Sequence, residues 1–171
     1  MKLLIIFIYL IIANFSFASE KPDIKNLVLI KNLKKYEDVI FKDINQKNVN
    51  LDDFKGKLIL LNFWATWCAP CKEEMPSLDN LQSNSNLTNL KIFPINIGRE
   101  DKSKTEFFFE ELNIQNLDIY IDASITLAKK FSLRGVPTTI LFDKEGEEFA
   151  RIIGSIDFNN EEFVNWLKTY N

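Results

Sequence analysis

Phe63-Trp64-Ala65-Thr66-Trp67-Cys68-Ala69-Pro70-Cys71-Lys72-Glu73-Glu74-Met75-Pro76 holds the only two cysteines of the 171-residue chain, Cys68 and Cys71, with two residues between them. Ahead of them, residues 58–64 run apolar on both faces, as a central strand covered by helices on each side must. Pro70 suits the first turn of a helix, where its missing N–H has no partner to lose. The helix is predicted from about Cys71 to Leu81, so a strand delivers two cysteines to a helix start. Pro76 falls inside that helix, where it removes one hydrogen bond and bends the axis at a cost of about 3 kcal/mol.

The thiolate is the reactive form of cysteine, and the unpaired N–H groups and partial positive charge of a helix start stabilise it, lowering a thiol from about 8.5 to roughly 7 or below. Cys68 precedes the helix and is expected to attack; Cys71, within the first turn, is placed to resolve the mixed disulfide. A closed zinc site needs four ligands, which two cysteines and no histidine do not supply. No metal and no other cofactor is expected. A structural disulfide across so short a loop constrains the unfolded chain little, so the pair reads as redox-active.

Beyond the helix, residues 90–97 form another buried strand, and strand-helix-strand implies a parallel crossover. Residues 102–112 have helical spacing, but Phe107-Phe108-Phe109 is apolar on too many sides for a simple surface helix; core packing is favoured for these rings, with one of them facing a partner as the competing reading. Residues 119–121 read as a short strand and 125–131 as a short helix, making a strand-helix insertion in the middle of the domain. Ile140-Leu141-Phe142, a Lys144-Glu145-Gly146-Glu147 turn and residues 149–153 form a terminal hairpin. Asn159 or Asn160 caps a last helix with Phe163, Val164, Trp166 and Leu167 as its apolar stripe. Upstream, Val39, Phe41 and Ile44, then Val49 and Leu51, flank a polar turn and predict an edge hairpin. Residues 20–35 read as a loosely packed lead.

Residues 1–18 combine a basic start at Lys2, an apolar run, and Ser16 and Ala18 at positions a signal peptidase prefers, which reads as a secretory signal cleaved after Ala18. A membrane anchor is disfavoured, because about 16 apolar residues span about 24 Å against about 30 Å of hydrocarbon. No cysteine follows the run to carry a lipid. The chain therefore divides into a signal peptide (1–18), a lead (19–37) and one domain (38–171). A formal charge of −3 gives nucleic-acid binding no electrostatic support.

The run from Trp64 to Cys71, the later Gly135-Val136-Pro137-Thr138 and the element order between them resemble the thioredoxin superfamily. More narrowly, Phe63 to Cys68 followed by Glu74-Met75-Pro76, the upstream Leu51-Asp52-Asp53-Phe54-Lys55-Gly56-Lys57 and the segment after Gly98 are similar to exported TlpA/ResA-like disulfide reductases, including cytochrome c maturation thioredoxins. The resemblance covers about residues 38–167. It implies an α/β thioredoxin-like fold: a mixed central sheet with helices on both faces, an N-terminal hairpin and a central strand-helix insertion. It also implies a cis Pro137 packed against the cysteine pair, Val136 offering backbone hydrogen bonds to a bound partner, and an apolar rim of Trp67, Val136 and Pro137. Glu74 resembles the family's acidic residue, able to relay a proton to or from Cys71; Glu73 is assigned to solvent. Thioredoxin has a buried aspartate where this chain has Asn62, which cannot take a proton, and the narrower family often lacks that aspartate too.

Strong oxidants of this fold place a histidine between the cysteines, and reference potentials separate that type, about −120 mV, from thioredoxin, about −270 mV. Ala69 and Pro70 stand there instead, which favours a reductant. In an oxidising exported compartment, the periplasm, such a reductant requires a membrane electron donor and a disulfide-bearing client, for which the resemblance suggests apocytochrome c; a monomer is expected. An oxidant or isomerase of the same fold and a client-binding module without turnover stay open. A peroxidase is disfavoured, since such relatives place a threonine three residues before the cysteine and Thr66 is two before. Copper carriers need a histidine that is absent.

Overall fold

The computed structural model describes residues 21–122 and 124–171; the segment read as a signal, residues 1–18, lies outside them. In chain order the elements are β1 (Leu27–Lys35), β2 (Ile40–Asp43), β3 (Asn48–Asn50), β4 (Leu58–Trp64), α1 (Ala69–Gln82), β5 (Leu90–Asn96), α2 (Lys102–Glu111), β6 (Tyr120–Ile121), α3 (Thr126–Lys130), β7 (Thr138–Phe142), β8 (Glu147–Ile153) and α4 (Glu161–Leu167). The strands make one mixed sheet in the order β1-β8-β7-β4-β5-β6-β2-β3. This is the thioredoxin-like architecture expected above.

β4 is the spine. All seven of its residues are buried, and it pairs in parallel with β5, from Leu58↔Leu90 to Trp64↔Asn96, and antiparallel with β7, from Ile59↔Phe142 to Phe63↔Thr138. Because side chains alternate along a strand, Leu58, Leu60 and Trp64 join one core cluster with Met75 and Leu78 of α1, Phe108 and Phe109 of α2 and Phe163 of α4. Ile59, Leu61 and Phe63 join the other, with Phe41, Phe93, Leu127 and Phe131. Each such buried side chain contributes about 1.5–3 kcal/mol. The helices thus cover both faces of the sheet.

The helix starts follow local chemistry. Asp101 and Asn160 cap α2 and α4 through bonds from the Lys104 and Phe163 N–H groups, and the Asp122 carboxylate accepts from the N–H groups of Thr126, Leu127 and Ala128 at the head of α3. The edge hairpin is β2 and β3, antiparallel, and the terminal hairpin is β7 and β8.

Three expectations change. Residues 27–35, read as part of a loosely packed lead, form the edge strand β1, paired antiparallel with β8. Only Leu27 of that strand is buried, which is why its sequence looked like a lead: an edge strand with one covered residue shows little alternation. The helix after Cys68 begins at Ala69 rather than Cys71. Of the three phenylalanines on α2, Phe108 and Phe109 enter the core while Phe107 is 63% exposed.

Candidate active site

β4 ends at Trp64, and four residues later Cys68 occupies the N-cap of α1. Its Sγ accepts the backbone N–H of Cys71 at 3.2 Å, which uses one of the N–H groups a helix start leaves unpaired. Cys68 and Cys71 are joined as a disulfide, with Cα atoms 5.3 Å apart. Cys68 retains 5% exposure and Cys71 none, so the outer sulfur is the one that a partner can reach. Pro70 lies in the first turn and Pro76 within the helix.

Glu74, one turn beyond Cys71, is 2% exposed. Its Oε1 accepts from Asn62 Nδ2 at 2.8 Å, and the same amide nitrogen donates to Thr139 Oγ1 at 2.9 Å. Alternation along β4 puts Asn62 on the α1 side of the sheet, so the residue that replaces an acid also orients one. Oε2 of Glu74 is buried without a hydrogen-bond partner. Burial pushes the Glu74 carboxyl up to about 8, against the opposing pulls of the Asn62 amide and the Ile156 backbone N–H. At neutral pH this group carries a proton. Glu73 is exposed.

The Val136–Pro137 bond is cis. Pro137 is buried and Val136 half-buried. The Pro137 carbonyl accepts from Gly154 N–H at 2.9 Å, whereas among the described residues Val136 has no backbone hydrogen-bond partner. Val136 packs against the cluster that contains both cysteines. Trp67, immediately before Cys68, is 70% exposed.

Sequence reasoning missed Glu100 as a neighbour of this loop. Its Oε1 accepts from Thr66 Oγ1 at 2.7 Å and from Thr66 N–H at 3.3 Å, which ties the segment after β5 to the residue two before Cys68. Gly98 makes room: a Cβ there would lie 1.9 Å from the Glu100 carboxylate. No sequence spacing marks this contact, because the crossover separates the partners by 34 residues. No group of three potential metal-ligating side chains occurs among the described residues.

The AhpC/TSA family model matches residues 33–147. Among curated proteins, the chain is 31% identical over 130 residues to thiol-disulfide oxidoreductase ResA of Bacillus subtilis (strain 168), covering 75% of this chain and 72% of the relative. It is 34% identical over 119 residues to the ResA of Geobacillus kaustophilus (strain HTA426), covering 70% and 67%. Among solved structures, a putative thiol:disulfide interchange protein DsbE from Chlorobium tepidum superposes with a TM-score of 0.69 at 20% identity, over 81% of this chain and 99% of that one. StoA from Bacillus subtilis does so with a TM-score of 0.62 at 23% identity, over 81% and 98%.

Proposed function

Since the chain belongs to the AhpC/TSA family and to the ResA-type thiol-disulfide oxidoreductases, we propose that it is an exported reductant that opens disulfides in client proteins through Cys68 and Cys71. The observation that carries the direction of attack is Cys68 at the N-cap of α1, where the helix start stabilises a thiolate. In the reduced enzyme the Cys68 thiolate attacks one sulfur of the client disulfide, forming a Cys68–client bond and releasing the other client sulfur as a thiolate. Cys71 gives its proton to the ionised fraction of Glu74, which grows as pH rises toward about 8, and attacks the Cys68 sulfur. The Cys68–Cys71 bond closes, the second client thiolate leaves, and two electrons have passed to the client, whose thiolates take protons from water.

Glu74 suits the proton step because its carboxyl, raised to about 8, lies close to an ordinary thiol at about 8.5, so the transfer is nearly balanced in free energy. Trp67, Val136 and Pro137 form the rim against which the client lies, and the free backbone groups of Val136 supply hydrogen bonds to it. A membrane electron donor re-reduces the pair. The apolar run at residues 1–18 supports an exported, periplasmic site for this cycle, and the resemblance to cytochrome c maturation thioredoxins supports apocytochrome c as the client.

The test is the potential of the Cys68–Cys71 couple together with two variants. A reductant has a potential near the thioredoxin value of about −270 mV; one above about −180 mV would make the protein an oxidant or isomerase. Cys68→Ser is expected to abolish reduction of a model disulfide, and Cys71→Ser to accumulate the Cys68–client mixed disulfide, read by mass spectrometry. Client binding that survives loss of both cysteines, with no turnover by the native pair, would favour a binding module.

A further inference from the structure

Helical spacing gives α2 an inward face of Thr105, Phe108 and Phe109, all buried. Phe107 lies off that face and remains 63% exposed. A single exposed phenylalanine requires no explanation, but this one borders an open groove of about 510 Å³. Thr66 of the redox loop lines it too, and Asp101, Ser103, Lys104, Phe108 and Glu111 complete the lining. Phe108 rests on Trp64 at 4.6 Å between ring centroids, so the floor is fixed to the end of the central strand. Thr66 is held in turn by Glu100, and the next residue, Trp67, is 70% exposed. The two most exposed aromatic rings described in the chain are thus Trp67, next to Cys68 in the redox loop, and Phe107, which shares a groove with Thr66 of that loop.

The lining carries Asp101 and Glu111 against Lys104. Glu111 is paired with Lys72 of α1, and the Asp101 carboxylate caps α2 by accepting the Lys104 backbone N–H, so both acids already have partners. Phe107 and the floor offer apolar contact.

We propose that this groove is a side-chain subsite for the client: it receives a large apolar residue, aromatic or branched aliphatic, adjacent to the disulfide-bonded cysteine in an extended client segment. The proposal rests on the oxidoreductase reading and adds a specificity determinant to it. Phe107 acts by binding and takes no part in the electron transfer. Because the groove shares Thr66 with the redox loop, a segment lying across Trp67 reaches it without leaving the rim.

The experiment compares two disulfide-linked peptides that differ only in the residue next to the cysteine, phenylalanine or serine, with the reduced protein. The native chain is expected to prefer the phenylalanine peptide by about 10-fold in kcat/KM, an amount consistent with burying most of one apolar side chain, and the preference should reside in KM. Phe107→Ser should bring the ratio close to one, and Phe107→Leu should retain most of it. Ile40→Ser, which removes an exposed apolar residue from the β2–β3 hairpin, should leave the ratio unchanged. Equal rates for the two peptides with the native chain, or a preference that survives Phe107→Ser, overturns the subsite. If neither peptide is turned over, the oxidoreductase reading fails and the groove is judged by binding alone. Amide shifts on α2 on titration of the phenylalanine peptide then support it, and their absence overturns it.

Discussion

Two carboxylates are buried against the two faces of one sheet and kept in opposite ways. Glu148 of β8 is fully buried and faces a cation: Arg151 Nε pairs with its Oε1, Arg151 Nη2 reaches Oε2 at 3.0 Å, and Tyr36 Oη donates to Oε2 at 2.6 Å. Arg151 also donates to the Phe131 carbonyl at 2.7 Å, capping the end of α3. Glu74 on α1 is similarly enclosed but faces no cation, with the Asn62 amide as its hydrogen-bond partner and the Ile156 backbone N–H as a weaker pull. One carboxylate has a compensated charge and serves the fold. The other has no counter-charge, and burial favours its protonated form.

The comparison is broken most severely from the structural side. Arg151→Met leaves Glu148 buried opposite no cation, and should cost about 3–5 kcal/mol of stability, read as the shift of a denaturant midpoint.

From the reactive side, the sign follows from the raised Glu74 value. A carboxyl at about 8 in the folded chain and at its ordinary value when unfolded makes the folded state bind the extra proton, so stability falls as pH rises from about 4.5 through 8. Between pH 5 and pH 8 the fall should be about 3 kcal/mol. Glu74→Gln should remove that part of the pH dependence, stabilising the oxidised protein at pH 8 while slowing the resolving step by about 100-fold. Denaturation curves at the two pH values and the lifetime of the mixed disulfide are the readouts; an unchanged slope would mean that Glu74 is charged in the folded protein.

The smallest effect sharpens the contrast without breaking it. The Tyr36 hydroxyl is pushed up to about 12 by burial and by its bond to Glu148, and Tyr36→Phe removes one hydrogen bond to a charged group, for a loss of about 1.5 kcal/mol. Arg151 still pairs with Glu148, so activity should not change.

These two sites differ in how far the sequence announced them. The buried strand, the Cys68-Ala69-Pro70-Cys71 helix start and Glu74 one turn on are local patterns, and spacing alone places them. The bond between Glu74 and Asn62 required the crossover, but both residues could be named because each sat at a marked position. Glu148 and Arg151 gave no signal. In an uninterrupted strand, residues three apart point to opposite faces. They meet because the β7–β8 register shifts, with Leu141 opposite Ala150 but Phe142 opposite Glu148, leaving Phe149 as the extra residue of a bulge. Phe149 then packs on the α4 side against Trp166. The bulge reverses the parity of the strand, and periodicity does not foresee it. Likewise β1 and Phe107 escaped the sequence reading, one because an edge strand with a single buried residue lacks a pattern, the other because three consecutive rings do not show which of them the helix turns outward.

The register of the sheet also decides where a handle can be attached. Leu27 pairs with Ile152, Thr138 with Ile153, and Phe63 with Thr138, so the chain enters β1 at the rim where β4 hands over to the cysteines. Asn171 bonds to Asn89, whose carbonyl accepts from Leu58 at the far end of β4. Anything fused ahead of Leu27 leaves from the sheet end at which β4 runs into the cysteine loop, three strands away from it. A bead, dye or surface joined after Asn171 leaves from the opposite end.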